Sequence, residues 1–592
     1  MKRKTKIVCT LGPATMTTET ISTLLTAGMN VARFNFSHGD HSFHLKLLQS
    51  LRDASAQTGI PVASLMDTKG PEIRTGQVRD HQPITLVQGN RITLTTEPID
   101  GTAARLSISY MKLPDEIRIG AHILIADGLI DLEVVAVENR EIHCLIRNGG
   151  TIGARKNVNV VGIRTSLPAV TEKDKDDLRF AAQNGFDFIA ASFVRKPSDI
   201  MEIRSTLERH LPADGILPLI IAKIEDEEGV SNIDEIIRVS DGVMVARGDL
   251  GVQVASYKIP IIQKEIIHKC NRANKMVITA TQMLDSMIRN PQPTRAEVAD
   301  VANAMLDGTD AVMLSGETAS GAYPEKAVQM MAHIAMETDY SAYSHLSEAL
   351  REKRKLPMAN TIARSAVLTA ADIGAQAIIS PTLHGNSPRL ISQYRPEQPI
   401  VAVTPFAHVQ RRLLLNYGVY PVITRIENNS DEMVTHAINA ALAQELVQPF
   451  NKVVIAASIP IRSPIMLNSV RVQILADVVC KGQRGYGDTV CGTVCKAASV
   501  AEARQKVAAA KNPILVTAFL DEPFYELLPL LAGYVLEAFS SEPIDKIRQF
   551  NPEIIAIAGA HNAMSLLADG QTVTLDGAEK LVLIDKYDGA AV

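Results

Sequence analysis

Eight short apolar runs, each followed by an amphipathic helical stretch, fill the first part of this sequence, and that alternation narrows the fold more than any other feature. The runs fall at 6–12, 31–37, 61–67, 186–193, 217–224, 242–247, 276–281 and 310–314. Apolar residues at helical spacing recur between them, over 19–27, 43–54, 173–183, 198–210, 232–240, 261–273 and 295–306, with an eighth helix at 324–337. A strand covered on both faces reads as a continuous apolar run, so this pattern predicts an α/β fold built on a parallel (β/α)8 TIM barrel.

One interval breaks the rhythm. Between the third run and the next helix lie short β-rich pieces at 84–87, 91–95, 122–126, 132–137 and 141–146, divided by Gly, Asn and Asp. They predict a small β-barrel lid domain inserted in a βα loop, at the end of the barrel where chemistry sits. A charged stretch at 351–355 then precedes a second alternation: helices from 360, 388 and 408, and strands at 377–380, 400–404 and 452–456. This reads as a separate open-sheet α/β domain. A third, Ala- and Val-rich alternation closes the chain. The expected domains are 1–74 with 167–345, 75–166, 346–472 and 473–592.

The totals exclude several classes. A length of 592 residues is too great for one core. A formal net charge of -5 gives no basic field for a nucleic-acid backbone. No apolar run approaches the roughly 20 residues of a membrane span. The basic start is followed by only six apolar-leaning residues at 7–12, too few for a signal peptide and enough for a first strand. Six cysteines, at 9, 144, 270, 480, 491 and 495, include no Cys-x-x-Cys pair. Cys491 and Cys495 would meet on one helix face, but nothing nearby completes a zinc site. Buried reduced thiols and a cytoplasmic location are expected.

A barrel demands that functional groups stand at the C-terminal ends of its strands. Strand two ends in Arg33-Phe34-Asn35-Phe36-Ser37-His38-Gly39, strand three in Asp67-Thr68-Lys69-Gly70, and strand four in Ser192-Phe193-Val194-Arg195-Lys196. Strand five ends in Lys223-Ile224-Glu225-Asp226, strand six in Arg247-Gly248-Asp249-Leu250-Gly251, strand seven in Thr281-Gln282, and strand eight in Ser315-Gly316-Glu317-Thr318. A single Lys or Glu after a strand is ordinarily a solvated loop residue, and Arg33 with Asp67 reads alone as a structural bridge. Seven successive strands ending this way build an anion and metal site.

The inventory narrows the ligand. Arg33, Arg74 and Lys223 suit several negative oxygens, Arg as a planar fork and Lys as a point charge. Glu225 and Asp249 are hard ligands for Mg2+ or Mn2+. Asn35, Ser37, Asp67 and Thr68 supply neutral oxygens and one carboxylate, suited to a weakly hydrated monovalent cation. No Walker loop is present, so nucleotide phosphates must be held by side chains and metal. Convergent cations and a metal under a lid suit phosphoryl transfer.

Long motifs carry a resemblance as well. Leu11-Gly12-Pro13-Ala14, the run from Gly28 through Arg33-Phe34-Asn35-Phe36-Ser37-His38-Gly39, Asp67-Thr68-Lys69-Gly70-Pro71-Glu72-Ile73-Arg74-Thr75-Gly76, Ile221-Ala222-Lys223-Ile224-Glu225, Met244-Val245-Ala246-Arg247-Gly248-Asp249-Leu250-Gly251-Val252, Ala280-Thr281-Gln282-Met283-Leu284 and Met313-Leu314-Ser315-Gly316-Glu317-Thr318 resemble pyruvate kinase. The resemblance implies transfer of phosphate from phosphoenolpyruvate to ADP, with Mg2+ (or Mn2+) and K+, in a homotetramer. It implies that Lys223 stabilises the transferring group, Arg33 contacts phosphate, and Gly248, Asp249 and Thr281 hold the carboxylate end. Glu225 and Asp249 would bind the divalent ion; Asn35, Ser37, Asp67 and Thr68 would bind potassium. Arg74, Lys156, His38 and Pro13 would meet the nucleotide. Thr281 and Ser315 would line the proton's route to the enolate through water. Glu72 matches potassium-dependent members, where independent ones carry Lys.

Departures stand beside these matches. Lys156-Asn157-Val158-Asn159-Val160-Val161 replaces Lys-Gly-Val-Asn-Leu-Pro, Gln253 replaces a common Glu, and Asp226 a usual Asn. Members bind a sugar phosphate in the second domain; here its loops read Thr382-Leu383-His384-Gly385-Asn386-Ser387-Pro388-Arg389 and a glycine-free 460–466 containing Arg462. The tail resembles a swivelling phosphohistidine domain, yet Ser540-Ser541-Glu542-Pro543 stands where its histidine motif belongs, and the tail's single histidine is His561. A carrier function therefore fails for want of the imidazole. A silent regulatory barrel would have lost Lys223, Glu225 or Asp249, and an aldolase or lyase would need neither Lys156 nor the potassium set.

Overall fold

The computed structural model describes residues 2–163, 165–341, 356–461, 463, 466–539 and 547–585. They form two units, one drawn from 1–367, 380–428 and 458–468, the other from 368–379, 429–457 and 469–592.

In the first unit, strands β1 (Lys6–Leu11), β2 (Val31–Asn35), β3 (Ala63–Asp67), β4 (Phe188–Ala191), β5 (Leu219–Ile224), β6 (Gly242–Ala246), β7 (Met276–Ala280) and β8 (Ala311–Leu314) close into a parallel barrel. Closure is made where Cys9 of β1 lies opposite Leu314 of β8 on one side and Ala32 of β2 on the other. Helices α1 (Thr18–Ala27), α2 (His41–Thr58), α3 (Glu172–Asn184), α4 (Pro197–His210), α5 (Ile233–Val239), α6 (Ile259–Arg272), α7 (Arg295–Leu306) and α8 (Pro324–Asp339) follow the strands in turn. Strand side chains alternate in direction. Val8, Val31, Leu65, Phe188, Ile221 and Met244 therefore fill the interior, while Ile7, Ala32, Met66, Ile189 and Val245 pack under the helices. Each such aliphatic group, fully buried, contributes about 1.5–3 kcal/mol. The helices start where the sequence caps them: Thr171 accepts from Asp174 N–H while Asp174 returns a bond to Thr171, and Thr294 and Glu297 do the same.

The insertion between β3 and α3 is a seven-stranded sheet with a two-stranded companion. All five expected β pieces are strands. Four more, Ile73–Arg74, Arg105–Ser107, Gly150–Ile152 and Asn157–Val160, were not anticipated, being two to four residues long and defined by pairing across the sheet.

Beyond the barrel, β9 (Ala377–Pro381), β10 (Ile400–Thr404), β11 (Val419–Ile423), β12 (Lys452–Ala457) and β13 (Ser469–Ile474) follow, with helices α9 (Asn386–Ser392) and α10 (Ala407–Leu413). In the first unit β10 runs parallel to β11. Leu414 and Leu415, just past α10, enter the inner barrel cluster. In the second unit, residues 377–379 run parallel to Val453–Ile455, and β13 pairs antiparallel with β12. The sequence reading lacked β11 and the helix Ser430–Ala443. The C-terminal part is a mixed eight-stranded sheet in which Thr489–Lys496, Pro513–Thr517, Gly533–Leu536 and Ile555–Ala558 run parallel.

Two expectations about cysteine are corrected. Cys491 and Cys495 lie on the strand Thr489–Lys496, not on a helix. At about 3.3 Å per residue, four residues of strand separate them by about 13 Å. Cys491 is exposed, while the other five thiols are buried. The charged stretch 351–355, Arg462 and the 540–543 motif fall outside the described residues. Among those described, no helix is long and apolar enough to cross a membrane.

Candidate active site

Burying charge inside a barrel mouth is costly unless every charge meets a partner. The strand ends obey this. Lys223, at the end of β5, donates from Nζ to Asp67 Oδ1 at 3.0 Å and Ser192 Oγ at 2.6 Å, and pairs with Glu225 Oε1 at 2.9 Å. Arg33, from β2, donates through Nε to Asp67 Oδ2 at 2.7 Å and through Nη1 to Thr10 Oγ1 at 2.9 Å. The bridge that the sequence allowed between Arg33 and Asp67 is thus present, as one edge of a larger network. Asp67 is 1% exposed. Burial alone would raise its pKa, but Arg33 and Lys223 outweigh burial and hold it below the usual carboxylate range. The same two acids, Asp67 and Glu225, raise the Lys223 pKa against desolvation, so the ammonium stays charged.

The second carboxylate pair behaves oppositely. Glu225 accepts Phe193 N–H at 2.7 Å. Burial, with Asp249 and Asp67 adding and Lys223 opposing, pushes it up to about 7. Asp249, in the first turn of the short helix Arg247–Gln253, is also raised, by burial first and by Asp127 and Glu72, against Lys223. Two carboxylates crowded together with one ammonium between them lack positive charge. That imbalance fits a divalent cation with oxygen ligands, though among the described residues no three acidic, His or Cys groups converge on one point. Oxygens of bound substrate would supply the remaining ligands.

Around this centre the other expected residues fall into separate groups. Asn35 Oδ1 accepts Ser37 N–H at 3.1 Å, Thr68 Oγ1 accepts Ser192 N–H at 3.0 Å, and Phe36 N–H reaches Asp67 O at 3.0 Å. The four oxygen donors Asn35, Ser37, Asp67 and Thr68 therefore cluster on two neighbouring strand ends, a donor set that fits a monovalent cation. Gly248 N–H donates to Thr281 Oγ1 at 2.8 Å, and Thr281 itself sits at a φ of 67°. Ser315 N–H donates to Glu317 Oε2 at 2.7 Å, leaving Ser315 Oγ buried with no hydrogen-bond partner. Arg74 pairs with Glu72 at 2.8 Å. Lys156, His38 and Pro13 are exposed and make no bond to the Lys223 cluster.

Beside the cluster opens a cleft of 240 Å3 between the inserted sheet and the barrel, lined by Glu72, Asn157, Asn159, Arg195, Asp249 and Gln253 among others. Gln253 Nε2 donates to Asn159 Oδ1 at 3.1 Å across it, joining a position where the sequence departs from its resemblance to one where it matches. Three supporting groups carried no role in the sequence reading: Ser192, Glu317 and Asp300, which holds Arg247 at 2.8 Å. Ser192 and Glu317 lie just past strand ends, whereas Asp300 lies within the helix Arg295–Leu306 and carried no such signal.

Comparison with known proteins places this arrangement. Residues 2–328 match the family model described as the pyruvate kinase barrel domain, and 360–473 match the pyruvate kinase alpha/beta domain. The chain belongs to the pyruvate kinase family. It is 45% identical to the pyruvate kinase of Geobacillus stearothermophilus over 582 residues, covering 98% of each chain. With that of Bacillus licheniformis it shares 42% identity over 593 residues, covering 100% of this chain and 99% of the relative. A solved pyruvate kinase from Cryptosporidium parvum superposes with a TM-score of 0.75 at 41% identity, covering 80% of this chain and 96% of the other. Members at this similarity over the full length fix the reaction: pyruvate kinase transfers the phosphoryl group of phosphoenolpyruvate to ADP, leaving pyruvate and ATP.

Proposed function

We propose that Lys223 is the group around which this pyruvate kinase works, because its ammonium stands between Asp67, Ser192 and Glu225 at bonding distance from each. A cation so placed stabilises charge that spreads over the transferring phosphoryl oxygens, and preorganised charge of this kind is the main device available for phosphoryl transfer. Arg33, fixed by Asp67 and Thr10, presents its remaining N–H groups to phosphate. Asp249, Gly248 and Thr281 hold the carboxylate end. Arg74 and Lys156, with His38 and Pro13, receive the nucleotide.

Glu225 and Asp249 would hold Mg2+ or Mn2+, which when bound neutralises phosphate oxygens and orients them. Asn35, Ser37, Asp67 and Thr68 would hold K+. Departure of the phosphoryl group leaves an enolate that must gain a proton at carbon. Ser315 Oγ, buried and unpartnered, and the Thr281 hydroxyl supply the polar lining of that path, relaying the proton through water. Domains at 1–74 with 167–345, 75–166, 346–472 and 473–592, a homotetrameric assembly and a cytoplasmic location complete the reading.

The test is lactate-dehydrogenase-coupled pyruvate release from phosphoenolpyruvate and ADP with Mg2+, with and without K+, for the wild type and Lys223→Met. Potassium-stimulated turnover that collapses in the variant is expected. Equal turnover in Lys223→Met would overturn the role of Lys223, and full activity without any monovalent ion would remove the potassium site.

A further inference from the structure

The loop 192–195, which follows β4, bonds both the catalytic centre and the chain that returns from the inserted sheet. Ser192 Oγ accepts from Lys223 Nζ at 2.6 Å, Phe193 N–H donates to Glu225 Oε2 at 2.7 Å, and Val194 N–H donates to Lys223 O at 3.3 Å. Arg195 serves the insertion instead. Its Nη1 donates to Thr165 O at 3.0 Å and its Nη2 to Leu167 O at 2.7 Å, on the segment that leads back to the barrel. The outgoing segment rests on the same loop. A Cβ on Gly70, which sits at a φ of 70°, would come within 2.9 Å of Ser192 Cβ and 3.0 Å of Phe193 Cδ2.

The returning segment is held from both sides. Thr165 and Leu167 present their carbonyls to Arg195, while Ser166 between them bonds the insertion. Its N–H donates to Glu116 Oε1 at 3.2 Å, its hydroxyl donates to the same carboxylate, and Tyr110 OH lies 3.1 Å from its Oγ. Arg195 is itself fixed: its N–H donates to Asp199 Oδ2 at 3.0 Å, and its carbonyl accepts from Asn232 Nδ2 at 2.8 Å. Its Nε is buried without a partner, so the bonds of the side chain all go to Thr165 and Leu167. A guanidinium forked onto two main-chain carbonyls makes charge-assisted bonds, and the point charge of Lys cannot reproduce the fork.

We propose that Arg195 is a positioning residue for the nucleotide: by gripping Thr165 and Leu167 it sets the inserted sheet over the barrel mouth, and Lys156 with it. The inference rests on the nucleotide-binding role proposed above for Lys156. Lys223, Arg33 and Thr281 stand on the barrel itself, so the phosphoenolpyruvate side does not depend on the grip. Asp199 and Asn232 hold the main chain of Arg195, so a side-chain substitution there leaves 192–194 against Lys223 and Glu225.

Steady-state kinetics of full-length Arg195→Gln and Arg195→Lys test this, with thermal unfolding as the check on folding. KM for ADP is expected to rise about tenfold in Arg195→Gln and by less in Arg195→Lys, while KM for phosphoenolpyruvate changes by less than about twofold. Hydrogen exchange over 165–170, read by mass spectrometry without substrate, should quicken in Arg195→Gln and stay as it was over 192–194. Unchanged exchange over 165–170, or an equal rise in both KM values, overturns the proposal. So does an unchanged KM for ADP in Arg195→Gln where Lys156→Ala raises it. If neither variant moves that KM, the nucleotide reading fails and the proposal falls with it. Ser166 is exposed, so Ser166→Ala loosens the same segment from the opposite side with little risk to the fold. It should raise KM for ADP in the same direction; should Arg195→Gln not fold, an unchanged KM in Ser166→Ala overturns the proposal in its place.

Discussion

Thr281 Oγ1 accepts the backbone N–H of Gly248 at 2.8 Å, tying the end of β7 to the first turn of the helix that carries Asp249. The bond holds the Asp249 carboxylate, proposed above as a metal ligand, in register with a neighbouring strand. It goes with a β-branched residue held at a φ of 67°, a conformation that costs on the order of 1–3 kcal/mol.

Thr281→Gly relieves that strain while deleting the hydroxyl. Thermal unfolding is expected at a temperature no lower than the wild type's, with kcat reduced about 10²-fold or more. A large drop in unfolding temperature with unchanged kcat would show that the hydroxyl serves the fold alone.

Lys223→Met removes the cation between Asp67 and Glu225. Breaking a buried pair from one side costs about 3–5 kcal/mol, and loss of a preorganised charge at the reacting centre costs about 10²–10³ in kcat. Chemical denaturation of the metal-free variant should show the first effect. Added Mn2+ should restore part of it, because a divalent ion replaces the lost positive charge.

The raised pKa of Glu225 gives a direction for pH. Its folded value, about 7, lies above the ordinary 4.5, so the protonated form is favoured in the metal-free fold. Between those values folding takes up a proton, and metal-free stability falls as pH rises from 4.5 towards 7. A divalent ion needs the ionised form. Mn2+ affinity, followed by electron paramagnetic resonance, should therefore fall about tenfold per unit as pH drops below 7 and level off above it. A flat profile from pH 6 to 8 would contradict the assignment of Glu225 as a ligand.

Gln253 and Asn159 join the helix of Asp249 to the inserted sheet by a bond of 3.1 Å. A neutral hydrogen bond contributes about 0.5–1.5 kcal/mol. Gln253→Ala is expected to raise KM for ADP by about two- to tenfold with kcat little changed. Gln253→Glu should behave as wild type, since the Asn159 amide can turn to donate. Equal KM values in all three proteins would show that the bond has no part in nucleotide binding.

Much of this was legible because the barrel repeats one rule eight times. Lys223, Glu225, Asp67 and Arg33 each follow a continuous apolar run, and a parallel barrel brings the ends of such runs together. Ser192 was visible at a strand end, yet nothing in the sequence tells that its hydroxyl bonds Lys223 rather than solvent; that depends on adjacency of β4 and β5. The same limit hid the strands Arg105–Ser107 and Asn157–Val160, whose pairing partners lie many residues away. Cys491 and Cys495 misled for a related reason, since a four-residue spacing fits a helix face and equally one side of a strand.

Leu414 and Leu415 enter the inner barrel cluster about one hundred residues after β8 has been made. A barrel emerging from a ribosome thus completes its ring before the plug for one end exists, and folding proceeds from the amino terminus as synthesis advances. During that interval the inner barrel cluster lacks two of its buried members. Premature termination between residues 341 and 413 would leave a ring with an open end, a product prone to self-association although every residue assigned to catalysis is present.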